Sequence, residues 1–117
     1  MNLEDLTLGQ ARQIAEMFGK AETRSPCPYS YAGLIGKPVM VRTVTMIYVG
    51  RLVAVGDHEL TLIDASWIPE TGRWQQFISD GAVNECEPYP AAQHVLIGRG
   101  SILDVTAWTA AIPSVQK

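Results

Sequence analysis

The stretch Gly36–Ala65, GKPVMVRTVTMIYVGRLVAVGDHELTLIDA, limits what this chain can fold into more than any other. Val39–Thr45 alternates apolar and polar residues behind a Gly-Lys-Pro lead-in. Ile47–Val55 is β-branched and aliphatic apart from Gly50, Arg51 and Ala54. Gly56-Asp57 is a turn signal, and Leu60–Asp64 alternates again. Period-two alternation cut by glycine turns predicts three short strands. Gly50 falls inside the middle one, where a glycine weakens pairing unless the backbone must bulge or coil there. Strands bent this hard belong to a small, strongly curved sheet or barrel.

The remainder of the chain supplies too little for a second domain. Its 117 residues suit one domain with a modest core. A formal net charge of −3 argues against wholesale phosphate binding, though a local basic patch is compatible with it. Cys27 and Cys86 lie far apart and lack metal-type spacing, so a disulfide framework is not expected and a reducing cytoplasm is the default. No apolar run approaches the roughly 20 residues of a membrane span. The acidic opening Met1-Asn-Leu-Glu-Asp is unlike a secretory signal. The expectation is a soluble intracellular protein.

Ahead of the strands, Thr7 and Gln10 have capping-box spacing, and Ala11, Ile14, Ala15 and Phe18 follow at helical spacing until Gly19. A helix over residues 7–19 is marginal alone and must dock on something. Lys20–Tyr31, with Ser25-Pro26-Cys27-Pro28, reads as an extended connector. Beyond Ala65, Ser66-Trp67-Ile68 prolongs the third strand and Pro69–Gly72 is a turn. Trp74, Phe77 and Ile78 then take i, i+3, i+4 spacing in a helical turn ended by Gly81. Asn84–Gln93 is acidic and proline-punctuated, the mark of a surface loop. His94–Ile97 and Ser101–Trp108 are further strand candidates joined by Gly98-Arg99-Gly100, and residues 109–117 form a tail. A leading helix, five strands and an insertion after the third point to a mainly β chain built as a small barrel.

In this order the chain resembles the Sm-like proteins (Sm, LSm and bacterial Hfq). Gly50, Leu52, Asp57, Leu60, Leu62, Asp64 and Ala65 are similar to their first motif, and Arg99-Gly100 followed by Ile102 is similar to their second. The spacing is slightly short in both, Glu59 stands where many Sm proteins carry a base-binding Asn, and the insertion is longer than usual. The Gly-Lys-x-Val-x-Val-Arg-Thr opening, with that insertion, looks closest to small uncharacterised Sm-like proteins of bacteriophages. The resemblance implies a single strongly bent, five-stranded Sm-like (SH3-like) domain with an N-terminal α-helix. Strands one to three would fill residues 36–67, a short helical insertion 68–93, and strands four and five 94–108.

The same resemblance implies a homo-oligomeric ring closed by pairing the open edges of strands four and five, which places Val95, Leu96, Ile97, Ile102, Leu103 and Val105 at the subunit interface. It also implies a place for RNA at Arg99 and Gly100, where a guanidinium can stack on a base or fork to a phosphate, with His58 and Tyr48 adding stacking. Against RNA stand Asp57 and Glu59, which put negative charge in the same loop. The simpler role for Arg99 is a turn residue paired with a carboxylate.

Catalysis finds little support in the residues. Cys27, Cys86, His58 and His94 show no nucleophile–base–orienter arrangement, a cysteine between two glutamates has its thiolate disfavoured, and no phosphate-cradling glycine loop is present. No catalytic residue, cofactor or metal is expected. Trp67, Trp74 and Phe77 cluster in the insertion. They read either as a satellite core closing the open side or as a patch facing a protein partner. The function expected is a non-enzymatic ring serving as an assembly or interaction module of a phage-type structural or accessory kind. Its place would be the bacterial host cytoplasm or the virion, and an RNA-binding ring is the alternative.

Overall fold

The structure, a computed structural model, describes residues 30–117. The helix expected over residues 7–19, the connector up to Tyr29 and Cys27 lie outside the described residues. Leu34–Lys117 form one unit. It consists of β1 (Pro38–Thr43), β2 (Ile47–Val55), β3 (Glu59–Glu70), α1 (Trp74–Asp80), β4 (Glu85–Pro88), β5 (Val95–Gly98) and β6 (Ile102–Ala107), with a single 3-10 turn at Arg99–Ser101 between the last two. The strands make a 6-stranded antiparallel sheet in the order β4-β3-β2-β1-β6, and β5 also pairs with β3. Among the described residues the sheet is not closed. No helix among them is long and apolar enough to cross a membrane.

The sheet bends where its registers slip. Between Val49 and Arg51 on β2, the partner residue on β3 jumps from Ser66 to Ile63, and a second slip lies between Leu52 and Ala54. Asp64, inside the first bulge, takes a left-handed φ of 50°. Gly50 sits opposite this bulge. A Cβ there would come within 3.0 Å of the Ala65 Cα and 3.2 Å of the Ile63 carbonyl, so the strands approach too closely for a side chain.

β1 is central and buried on both faces. Met40 and its register partner Val49 join Ile68, Phe77, Cys86 and Trp108 in the cluster under α1. Val39 and Val41 alternate with Met40 and therefore face the other way, and they too are fully buried, as are Leu52, Leu60 and Leu62. α1 ends as its sequence dictates: Gly81 takes φ 74° and its N–H donates to the Phe77 carbonyl.

Two expectations are corrected. The sheet has six strands rather than five, because Glu85–Pro88, read as surface loop, pairs with β3. Its exposed–buried alternation around Cys86 is short and hidden among acids and prolines. β3 also runs through Pro69 to Glu70, so the turn begins later than Pro69. The tail is not free: Cys86 and Lys117 exchange backbone hydrogen bonds of 3.1 and 3.0 Å along the outer side of β4. Gln116 Nε2 donates to the Glu87 carboxylate at 3.0 Å, and the Trp108 indole donates to the Ala111 carbonyl at 3.1 Å.

Candidate functional site

The residues singled out in the sequence separate into four places. At one end of β2, the turn Gly56–His58 meets the turn between β5 and β6. The Arg99 N–H donates to the His58 carbonyl at 2.9 Å, and Arg99 Nη1 donates to the Gly56 carbonyl at 2.8 Å. Arg99, Gly100 and His58 are thus brought together. Gly98 and Gly100 open onto free space, with nothing within 4 Å of a Cβ at either. The partly buried guanidinium is nonetheless used in tying the two turns together, and the Glu59 side chain lies against Gly56 in the same corner.

Tyr48 is not part of that corner. It lies at the other end of β2, and cross-strand register sets it in a row on one face of the sheet. Val41 pairs with Val105 and with Tyr48, Tyr48 with Trp67, and Trp67 with Glu87. Directly paired residues share a face, so the row passes from buried Val41 to half-buried Tyr48, exposed Trp67 and exposed Glu87. The Tyr48 hydroxyl donates to Met46 Sδ at 2.9 Å. Partial burial, and then the neighbouring Tyr89 phenol through its charge and its hydrogen bond, push the Tyr48 pKa above the ordinary tyrosine value. Trp67, Glu87, Pro88, Tyr89 and Pro90 line a cavity of about 290 Å³. A second cavity, about 280 Å³, lies beside it between Asp64, Tyr89 and Pro113, sharing Pro88 and Tyr89.

The three aromatic residues of the insertion part company. Phe77 is fully buried, its ring 5.0 Å from Trp108 and 5.5 Å from Trp74, so it belongs to the core and presents no surface to a partner. Trp74 is 41% exposed, but Arg42 lies over its ring at 5.3 Å. That guanidinium donates through Nε and Nη2 to the two carboxylate oxygens of Asp104, its register partner on β6, which raises the Arg42 pKa further. Trp67 combines exposure with a place in the lining of a described cavity. The sequence pointed to it but missed Glu87 and Tyr89, whose signal was the alternation Glu85-Cys86-Glu87 running into Pro88-Tyr89-Pro90.

The edge residues divide by strand pleat. On β5, Ile97 is buried, Val95 half-buried and Leu96 65% exposed. On β6, Ile102 and Val105 are half-buried, and Leu103, which occupies the bulge in the pairing with β1, is 60% exposed. β5 pairs only with β3 and β6 only with β1, so each keeps one open side among the described residues.

The Cys86 thiol is buried and donates to the Val115 carbonyl at 3.0 Å. Among the described residues no three His, Cys, Asp or Glu side chains converge on a common point. No protein-family model matches this chain, and no curated protein matches it.

Proposed function

We propose that the chain is a non-enzymatic Sm-like protein in which β1, β2, β3, β5 and β6 form the bent five-stranded barrel and β4 is an addition to it. It assembles head to tail into a homo-oligomeric ring and acts as an assembly or interaction module of the phage-type structural or accessory kind. The observation carrying this reading is the pair of open edges. The tail covers the outer side of β4, while among the described residues β5 and β6 each keep an unpaired side, and each strand carries an exposed leucine. Open strand edges with apolar side chains favour pairing with another chain, and a rotation that closes satisfies every edge.

Native mass spectrometry and light scattering test it. A discrete oligomer is expected for the wild type and a monomer for the double variant Leu96→Lys, Leu103→Lys. Both leucines are exposed in the single chain, so the change leaves the core intact. A wild type that stays monomeric at high concentration would overturn the ring.

The RNA-binding ring is the second reading, favoured by one observation: Arg99, His58 and the open Gly98 and Gly100 share one corner. It requires the Arg99 guanidinium to leave the Gly56 carbonyl. Nuclease-sensitive RNA on the purified oligomer, lost steeply with salt and on Arg99→Ala, would promote it.

A further inference from the structure

The face carrying Tyr48, Trp67 and Glu87 is rich in π-systems and carboxylates and, among the described residues, holds no ion-paired cation. Glu85 lies two residues from Glu87 on the same strand face, and its register partner is Glu70. The described ion pair, Arg42–Asp104, lies elsewhere, and Lys117, whose backbone pairs with Cys86, makes none with these carboxylates. Glu87 accepts a hydrogen bond from Gln116 on one oxygen, Oε1. The described ring pairs are Trp74–Phe77 and Phe77–Trp108, so the rings of Trp67 and Tyr89 line their shared cavity without stacking on each other. Ring faces carry negative potential and attract cations, more so beside a carboxylate.

Two further features narrow the occupant. Pro88 and Pro90 have no N–H, so this rim offers a poor template for strand addition, and a partner must engage through side chains. The cavity, about 290 Å³, falls just below the roughly 300–1,000 Å³ of small-molecule sites. It suits one long side chain. A planar guanidinium can stack on an indole and fork to a carboxylate at once, which an ammonium cannot.

We propose that the groove between Trp67, Tyr89 and Glu87 docks an arginine side chain from an extended basic segment of a partner protein. This deepens the interaction-module reading and rests on it only for there being a partner; ring closure is not required. Nucleic acid is disfavoured here because phosphates would meet Glu85 and Glu87.

The test uses the full chain and the peptide acetyl-Gly-Arg-Pro-Arg-Gly-amide, with lysine and glutamate versions for comparison. Calorimetry reads affinity, and the Trp67 indole resonance, assigned through Trp67→Phe, reads location. The arginine peptide is expected to shift that resonance to saturation, the lysine peptide to bind more weakly and the glutamate peptide not at all. Trp67→Ala should weaken binding by roughly threefold to thirtyfold. Glu87→Gln, which keeps the shape, should weaken it severalfold. An unmoved Trp67 resonance in folded protein, equal binding of the glutamate peptide, or binding indifferent to both variants would overturn the inference. So would a shift of Trp67 on protein concentration alone, which would make the face a self-association surface. The oligomeric state is measured on the same sample. An intact ring without peptide binding strikes this inference alone, and peptide binding to a monomer strikes the ring alone.

Discussion

Gly50 and Ala65 face each other across the bulge in the β2–β3 pairing, so closely that a Cβ on Gly50 would stand 3.0 Å from the Ala65 Cα and 3.1 Å from its Cβ. An alanine there would gain about 0.4–1 kcal/mol from a stiffer unfolded chain. The clash is with backbone in the bend of a packed sheet, and overpacking of that kind costs about 1–3 kcal/mol. The second effect wins. Gly50→Ala should lower the free energy of unfolding in urea by about 1–2 kcal/mol. An unchanged or raised midpoint would show that the bend relaxes freely.

Phe77 and Trp67 should respond to truncation in opposite ways. Phe77 has no exposed surface and touches the cluster of Met40, Val49, Ile68, Cys86 and Trp108, so Phe77→Ala should cost about 3–5 kcal/mol. Trp67 is 36% exposed and should cost about 1 kcal/mol or less as Trp67→Ala, with its effect felt in partner binding instead. Urea melts of the two variants separate the roles; equal losses would contradict the division of core from surface.

Much of the fold was legible because it was local. Residues 36–65 announced β1, β2, most of β3 and the bend at Gly50, and the positions assigned near residues 94–108 fall within a residue or two of β5 and β6. α1 and its stop at Gly81 were legible for the same reason. β4 was not, because Glu85–Pro88 becomes a strand only through β3 on one side and Lys117 on the other, both distant in sequence. The site was less legible still. Helical spacing joined Trp74 to Phe77 without saying which would be buried, and Tyr48, Trp67 and Glu87 meet only through the register of three strands.

Ser66 carries a fully buried hydroxyl with no hydrogen-bond partner among the described residues, and Val49 and Pro88 are its register partners on the flanking strands. A buried polar group left unpaired costs about 1–3 kcal/mol. Ser66→Ala removes the group at almost constant volume and should raise stability by about 1 kcal/mol. A destabilised variant in the same melts would mean that the hydroxyl is satisfied in solution.

Tyr48 gives the chain an alkaline dependence with a definite sign. Its folded pKa is raised by burial and by Tyr89, so the fold favours the protonated phenol. The corresponding stability is fully present below the unfolded value of about 10 and is lost as pH rises through the folded value. Phenolate absorbance during alkaline titration should show a late component that is absent in Tyr48→Phe, and the variant should lose less stability above the unfolded pKa. Identical titration curves for the two proteins would refute this.

Arg99 should behave as a structural staple before anything else. Its Nη1 bond to the Gly56 carbonyl and its backbone bond to the His58 carbonyl hold the turn after β2 against the turn before β6. Only the first depends on the side chain, and hydrogen bonds with one charged partner contribute about 1.5–3 kcal/mol when shielded from water. Because the site is only partly buried, Arg99→Ala should cost about 1–2 kcal/mol. Hydrogen exchange should quicken at the amides of Gly56 and Arg99, which close the two turns, while those of β1 keep their protection. Lysine can reach a carbonyl but lacks the fork, so Arg99→Lys should recover part of the loss. If Arg99→Ala left both stability and exchange untouched, the bond to the Gly56 carbonyl would be dispensable to the fold, and Arg99 would not be the staple of that corner.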